Sequence, residues 1–194
     1  MSPRKDAARN HARIVEAAAT VFRREGVDSP LDAVAAEAGV GRATLYRHFP
    51  DRGSLLAAVL HDRVSMLERY EAERGGPDLL EHLVVEMCWY MADMRGLMAA
   101  ITASVIDDEH LAEIAERSDA LLSRALAGAV ATGSVRPDTS LDDLVLVTVM
   151  AGALVSNPAV TDDAMTRAMA ICFNGLRPGA DVHSLPAPEL RAGG

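Results

Sequence analysis

Aromatic residues are scarce in this chain of 194 residues, at 4%, and it contains only two cysteines. Alanine, leucine, valine and nine methionines supply most of the apolar content of 49%, and such a composition favours helices over sheets. No stretch alternates polar and apolar residues as a half-buried strand does. Cys88 and Cys172 lie far apart within apolar helical patterns, so they are predicted to pack as free thiols in a reducing cytoplasm.

Long hydrophobic runs are also missing. The first residues are charged and are not followed by the apolar segment of a signal peptide. The longest nearly uncharged run, residues 144–160, is shorter than the ~20 residues of a membrane span and is interrupted by glycine, asparagine and proline. The sequence therefore predicts a soluble cytoplasmic protein with no membrane partner.

Basic residues are in the minority overall, with a formal net charge of −9, but the charges are unevenly distributed. Residues 1–63 contain 10 basic and 8 acidic residues, whereas residues 64–194 contain 9 basic and 20 acidic residues. A difference of this kind between parts of a chain is a hint that one part meets phosphate. The excess of two positive charges is small, so this hint is weak alone.

Apolar residues at helical spacing, separated by turn residues, predict an all-α fold of about nine helices. We expect an N-terminal three-helix domain that contains a helix-turn-helix, followed by a larger C-terminal helical domain. The predicted segments are a flexible basic arm (1–9), the helix-turn-helix domain (10–52), the second domain (53–177) and a disordered tail (178–194).

The helix-turn-helix interpretation comes from residues 31–50, which form two short helical patterns around Gly39. Glycine provides the left-handed backbone geometry of a tight turn. If Leu45 and Phe49 face inward, the polar side chains among them cover the outward face of the second helix. In a helix-turn-helix, that helix enters the major groove of DNA.

The side-chain types then divide the expected DNA contacts. Arg42 and Thr44, near the start of the recognition helix, are predicted to meet base edges. Tyr46, Arg47 and His48 lie about a turn later and are predicted to meet phosphates. The complete predicted DNA-binding set is Arg42, Ala43, Thr44, Tyr46, Arg47, His48 and Arg52. The alternative is a helical hairpin with a solvated charged face, which would leave Tyr46 without a purpose.

These residues also resemble a known family. The segment "AVAAEAGVGRATLYRHFPDRGSLLAAVL" (33–60) is similar to the DNA-binding segment of TetR-family (tetracycline-repressor-like) regulators, and "TLYRHFP" is its most specific part. The preceding residues resemble the first two helices of the family, so the close match covers about residues 10–60. The resemblance implies that Arg42 and Thr44 lie near bases, and that Tyr46, His48 and Arg52 hold phosphates.

Two positions depart from the family pattern. Gly41 stands where the family often has a serine that caps the helix and contacts phosphate, so that contact falls to a backbone N–H. Leu31 stands where a threonine commonly touches phosphate. We therefore expect one backbone contact fewer, without a change of family.

The second domain has no motif of comparable specificity, but methionines recur at helical spacing beside a Trp-Tyr pair. Such residues line adaptable apolar pockets, although a stripe of this kind is more often ordinary core. The resemblance implies a ligand sensor and favours the pocket, for an apolar or amphipathic small molecule. The predicted ligand-binding residues are Met66, Tyr70, Met87, Trp89, Tyr90, Met91, Met94, Met98, Ile101 and Thr102. The helix at about 52–74 is predicted to be the only continuous rigid element that links this pocket to the recognition helix.

The helix predicted at residues 140–156 is apolar around nearly its whole circumference, which indicates a partner on its second side. With residues 161–176 it is predicted to form a homodimer, whose two recognition helices would bind double-stranded DNA at a palindromic operator. The expected function is a repressor that a small-molecule inducer releases from its operator, with a constitutive or ligand-activated regulator as the first alternative.

An enzyme is the alternative from another class. The sequence contains no glycine-rich phosphate loop, no Gly-x-Ser-x-Gly motif and no clustered Cys/His metal box, so no catalytic residue, metal ligand or cofactor is predicted. An all-α enzyme or small-molecule carrier with a non-functional helix-turn-helix would need scattered residues that the sequence does not connect.

Overall fold

The structure is a computed structural model that describes residues 3–94, 96–155, 157 and 159–179. Within these residues, every regular element is an α-helix. The side chains of residues 3–5, 98, 102, 108 and 155 lie outside this description. The helices are α1 (Pro3–Glu25), α2 (Leu31–Glu37), α3 (Arg42–His48), α4 (Arg52–Arg74), α5 (Leu79–Asp93), α6 (Leu97–Thr102), α7 (Asp108–Thr132), α8 (Leu141–Val155) and α9 (Asp162–Leu176). The predicted all-α fold is therefore confirmed.

Helix α1 begins earlier than the sequence pattern predicted. Residues 3–9 were expected to belong to a flexible arm, but the helix starts at Pro3. Proline is well suited to the first helical turn, and Asp6 is favourable there because it faces the positive end of the helix dipole. Arg9 Nη2 lies 2.7 Å from Asp6 Oδ1, one turn apart. These local interactions extend the helix beyond its apolar face, and residues 1 and 2 lie outside the described range.

Polar caps define several helix starts. The Asp51 side chain accepts a hydrogen bond from the Ser54 N–H at 2.7 Å, and the two residues complete a capping box at α4. Ser140 and Asp143 bond reciprocally at the start of α8. Ser29 lies just before α2 but does not cap it, because its hydroxyl donates to the Gly26 carbonyl at 2.8 Å and thereby stabilises the preceding turn.

Two hydrophobic clusters stabilise the described fold. The first contains the apolar faces of α1, α2 and α3, the first half of α4, and α6. The second contains the apolar faces of α5, α7, α8 and α9, together with Leu67 near the end of α4. Helix α4 thus runs from one cluster into the other, and it packs on both α1 and α7.

Helix α6 packs with the N-terminal cluster, although its residues fall within the range predicted for the second domain. Leu97 is 1% exposed, and Ile106, just after α6, is fully buried in the same cluster as α1 and α4. The backbone passes very close to α4 here, since a Cβ atom on Gly53 would lie 2.0 Å from the Val105 carbonyl oxygen. The sequence had suggested that α4 is the only rigid connection between the two parts of the chain. The packing of α6 provides a second connection between the two clusters.

The two cysteines are free, as their positions predicted. Cys88 lies fully buried in the second cluster, and this burial raises the pKa of its thiol to about 11. The thiol therefore stays protonated and unreactive near neutral pH. In the described part of the chain, no helix combines the length and the apolar character needed to cross a bilayer.

A glycine-to-alanine pair tests the contact between α4 and the α6–α7 connection. Gly53→Ala is expected to destabilise the fold by roughly 1–3 kcal/mol, because the new methyl group meets backbone that cannot rotate away. Gly128→Ala in α7 is the matched control. A Cβ there meets no atom within 4 Å, so we expect stabilisation by about 0.5–1 kcal/mol. Urea unfolding measures both, and equal stability of the two variants would contradict the contact.

Candidate nucleic-acid interface

The turn between α2 and α3 is built around Gly39, whose φ of +62° lies in the left-handed region. The Val40 N–H donates to the Ala35 carbonyl at 3.0 Å, which closes the turn. Arg13 of α1 donates from Nη2 to the Ala38 carbonyl at 2.5 Å and ties the turn to α1. A side chain at position 39 would be strained and would meet Arg13, so glycine is required here.

The orientation of α3 follows from two buried side chains. Leu45 is fully buried and Phe49 is 3% exposed, and both belong to the N-terminal hydrophobic cluster. Their burial leaves Arg42, Ala43, Tyr46 and Arg47 exposed. Thr44 is half-buried beside them. Five of the seven predicted DNA-binding residues therefore lie on the exposed face of α3 or at its edge. The opposite face of the helix is fixed by packing against the N-terminal cluster.

The geometry of Arg42 involves a residue that the sequence had not connected with the interface. Arg42 Nε lies 2.8 Å from Asp32 Oδ1 on α2, and both side chains are more than half exposed. Opposite charges ten positions apart across a tight turn are the signal that could have indicated this pair.

His48 and Arg52 are placed differently from the rest of the predicted DNA-binding set. His48 turns toward α1, where its ring centroid lies 6.2 Å from that of His11, and its Nε2 is buried without a hydrogen-bond partner. Arg52 donates through Nη1 to the Val27 carbonyl in the connection between α1 and α2. In this conformation both side chains contact the helix-turn-helix unit itself, so their assignment to phosphate contacts stays a prediction. Residue spacing could not predict these contacts, because it does not show which groups from other parts of the chain lie next to a side chain.

The start of α3 lacks a side-chain cap, as the glycine at position 41 predicted. Gly41 is the N-cap residue, with φ −72° and ψ 151°, and no side chain accepts a hydrogen bond from the first turn. The Gly41 carbonyl accepts the N–H groups of Thr44 at 2.9 Å and Leu45 at 3.1 Å. The helix thus begins on backbone hydrogen bonds alone.

The predicted ligand-binding residues lie in several environments. Met66 and Tyr90 line an open groove of about 840 Å³ between α1 and α4. Met91, Met94 and Ile101 pack with the N-terminal cluster, whereas Tyr70, Met87 and Trp89 pack with the second cluster. The side chains of Met98 and Thr102 lie outside the described residues. The structure therefore brings only part of the predicted set to one cavity.

The groove has a polar wall that the sequence did not indicate. The Arg63 guanidinium carbon lies 4.9 Å from the centroid of the Tyr90 ring, a cation–π arrangement. Arg63 Nη2 also donates to Glu86 Oε2 at 2.6 Å. Burial is the main reason that the pKa of Tyr90 is raised to about 12, so its hydroxyl remains neutral. The remaining lining residues are His11, Ala12, Val15, Glu16, Ala19, Thr20, Arg23, Ala58, Val59, His61, Asp62 and Ser65.

Four histidines surround a smaller cavity of about 380 Å³ where α1, α3, α4 and α7 meet; they are His11, His48, His61 and His110. Arg117 of α7 donates from Nη1 to His61 Nδ1 at 3.1 Å, which requires that this nitrogen be unprotonated. Burial lowers the pKa of His61 most, Glu113 opposes the shift, and Arg117 and His110 add to it. Burial likewise lowers the pKa of His48, with smaller effects from His11 and Arg47. The environment of this junction thus favours the neutral form of His48 and His61.

The lowered pKa values predict how stability depends on pH. Between the folded-state values and the ordinary value of 6.5, the unfolded chain binds more protons than the folded chain. The contribution of these histidines to stability is therefore complete above about pH 6.5 and is lost as the pH falls through the folded-state values. Urea unfolding at pH 7.5 and 5.5 should show the loss, and a His48→Gln/His61→Gln double variant should lose less. An equal loss in both proteins would contradict the assignment.

Large apolar side chains are exposed on α8 and α9. Val145, Leu146, Val149 and Met150 of α8 are between 41% and 57% exposed, and Ile171 of α9 is 64% exposed. The opposite side of α8 packs on α5 and α9 through Leu144, Val147 and Ala151. The exposed residues of α8 share one face of the helix, and large apolar side chains grouped in this way indicate an interaction site.

Comparison with known proteins agrees with this geometry. The sequence profile described as "Bacterial regulatory proteins, tetR family" matches residues 14–59. The profile described as "Transcriptional regulator SbtR-like, C-terminal domain" matches residues 78–178, which is more than half of the chain. The two matches correspond to the helix-turn-helix region and to the helices from α5 to α9.

Solved structures and curated proteins are similar to the chain as well. A TetR transcription regulatory protein from Mycobacterium vanbaalenii is 30% identical with a TM-score of 0.69, and the match covers 91% of this chain and 99% of that one. A TetR transcriptional regulator from Streptomyces coelicolor is 29% identical with the same TM-score, over 88% of this chain and 99% of that one. An HTH-type transcriptional regulator of Staphylococcus aureus (strain USA300) is 45% identical over 58 residues, 29% of this chain. That match spans 31% of the length of the curated relative.

The exposed recognition helix, the two helical clusters and the matches over both parts of the chain lead to one conclusion. This chain belongs to the TetR family of helix-turn-helix transcriptional regulators.

Proposed function

We propose that this regulator is a cytoplasmic repressor that binds a palindromic operator as a homodimer and leaves it when a small molecule binds. The observation that carries the proposal is the rigid presentation of α3. Leu45 and Phe49 anchor the helix in a core that also contains α6, while the opposite face is free to meet DNA. A surface held in this way is preorganised for a major groove.

The proposed DNA contacts follow from side-chain chemistry. The terminal nitrogens of Arg42 can donate to guanine O6 and N7, and the methyl groups of Ala43 and Thr44 can pack against thymine. Tyr46 and Arg47 are proposed to donate to phosphates, which fixes the position of the helix without reading sequence.

The homodimer is proposed to form through α8 and α9. The exposed apolar residues of both helices would be covered by their two-fold copies, and small residues such as Ala153 would permit close approach of the partner helix. Two recognition helices related in this way would meet half-sites ~34–36 Å apart, or more if the spacing is longer.

The inducer is proposed to be apolar or amphipathic and to bind in the groove that Met66 and Tyr90 line. This groove borders α1 and α4, two helices of the unit that carries α3. A ligand that fits only one relative position of these helices would change the spacing of the half-sites, within the limit of its differential affinity for the two conformers. A coupling of ~1–3 kcal/mol would weaken DNA binding roughly 5–150-fold.

The DNA-binding proposal predicts two kinds of mutational effect. Arg42→Ala should cost roughly 1–3 kcal/mol of operator binding and relax preference at one base position. Tyr46→Phe should weaken binding to all sequences, because it removes only a phosphate contact. Selection from a randomised duplex library, followed by fluorescence anisotropy, measures both effects. Equal retention of selected and random DNA by the wild type is the result that an enzyme or carrier with a vestigial helix-turn-helix would give.

A charge placed on α8 tests the dimer. Leu146→Glu should convert the dimer to a monomer at micromolar concentration, because an unpaired charge buried at the interface costs roughly 3–5 kcal/mol. Ala127→Glu on the exposed side of α7 is the control and should remain dimeric. Analytical ultracentrifugation distinguishes the two variants. A wild-type monomer, or a dimeric Leu146→Glu variant, would contradict the proposed interface.

The direction of regulation is testable with a reporter gene. With the selected DNA site placed over a promoter, the wild-type regulator should lower transcription, and Arg42→Ala should restore it. Small apolar and amphipathic compounds can then be screened for the ability to restore transcription of the reporter gene. The Met66→Trp variant, in which the larger side chain fills the groove, should no longer respond to such a compound but should still bind DNA. Higher transcription in the presence of the wild-type regulator would show an activator instead.

A further inference from the structure

Asp32 brings a carboxylate to the surface that meets DNA. It is the second residue of α2, and its Oδ1 lies 2.8 Å from Nε of Arg42, the first residue of α3. Its side chain is 51% exposed, and that of Arg42 is 69% exposed. A carboxylate beside the first residue of the recognition helix repels DNA phosphates and so weakens general attraction to DNA. The question is therefore what this carboxylate contributes to binding.

The donor used in this pair matters. Arginine has five N–H donors in a planar fork, and the contact with Asp32 joins its Nε. The two terminal nitrogens can then point together toward the two acceptors of a guanine edge. Holding Nε also limits the rotamers of a long side chain, which reduces the entropy lost when the guanine contact forms.

The carboxylate also penalises incorrect contacts. If Arg42 turned away to reach a phosphate, Asp32 would be left unpaired close to the negatively charged backbone. If Arg42 reads a base while it stays paired with Asp32, specific binding keeps the pair, whereas binding at random sequence carries a repulsive term. An unfavourable element of this kind raises specificity while it lowers general affinity for DNA.

Asp32 also contributes to the stability of α2, and this structural role can be distinguished from a role in base preference. As an acidic residue in the first turn it is favourable toward the helix dipole, but it makes no capping hydrogen bond there. A purely structural role would thus be visible in stability and would leave base preference unchanged.

We propose that Asp32 is a specificity-determining residue, which orients Arg42 for a guanine and disfavours binding of Arg42 to phosphate. This inference rests on the proposed reading of DNA by Arg42. Asp32 itself acts through Arg42 and is a positioning residue.

The test compares base preference in the wild type, four single variants and one double variant by selection from a randomised duplex library. Asp32→Asn removes the charge at nearly constant shape, and Arg42→Ala identifies the base position that Arg42 reads. Glu37→Gln is the control, because it removes one negative charge from the same helix, at a residue paired with Arg24 of α1. Thermal unfolding of each variant confirms that it is folded.

Asp32→Asn is expected to bind random DNA more tightly than the wild type and to lose about five-fold or more of the guanine preference at the Arg42 position, with other positions unchanged. In the Asp32→Asn/Arg42→Ala double variant, the preference at that position should be no lower than in Arg42→Ala alone. Asp32→Glu, which keeps the carboxylate, should recover part of the preference. Glu37→Gln should retain all of it.

Wild-type preference at every position in Asp32→Asn would overturn the inference, as would an equal change in Glu37→Gln. If the wild type selects a sequence but Asp32→Asn does not differ from it, only the role of Asp32 fails. If the wild type selects no sequence at all, the proposed operator binding fails and the inference fails with it.

Discussion

The close approach of α4 to the α6–α7 connection, which only a glycine at position 53 permits, determines how the two parts of the chain meet. With no side chain at Gly53, the Val105 carbonyl reaches the start of α4, and Leu97 and Ile106 enter the core of the helix-turn-helix unit. Helix α6 therefore belongs by packing to the part of the protein that carries α3. A displacement of α6 cannot leave that core unchanged, because close-packed interiors transmit small shifts.

Much of the helical architecture could be predicted from the sequence because local signals were strong. Asp51 and Thr161, which are of residue types that favour helix N-caps, cap α4 and α9, and apolar spacing located each long helix to within a few residues. The exceptions were matters of context. The early start of α1 depends on polar contacts within its first turns, and the association of α6 with the N-terminal core depends on packing between distant segments.

The candidate site was predictable to a similar extent. Burial of Leu45 and Phe49 follows from the apolar pattern, and the exposure of Arg42 and Tyr46 follows from that burial. The groups that His48 and Arg52 contact could not be predicted from residue spacing, because these groups lie on α1 and in the connection before α2. The same reason explains why the methionine stripe separated into two clusters, since one face of a helix can meet different neighbours along its length.

Because α6 is buried in the same core as α3, we expect α6 and the helix-turn-helix unit to open as one cooperative body. Native-state hydrogen exchange tests it most directly, since amides in one cooperative unit share one free energy of opening. The account predicts that the amides of Ala100 and Ile101 exchange with the same opening free energy as that of Leu45, and that DNA protects all three together. Exchange of Ala100 and Ile101 together with the amides of α8, independently of Leu45 and of DNA, would contradict it.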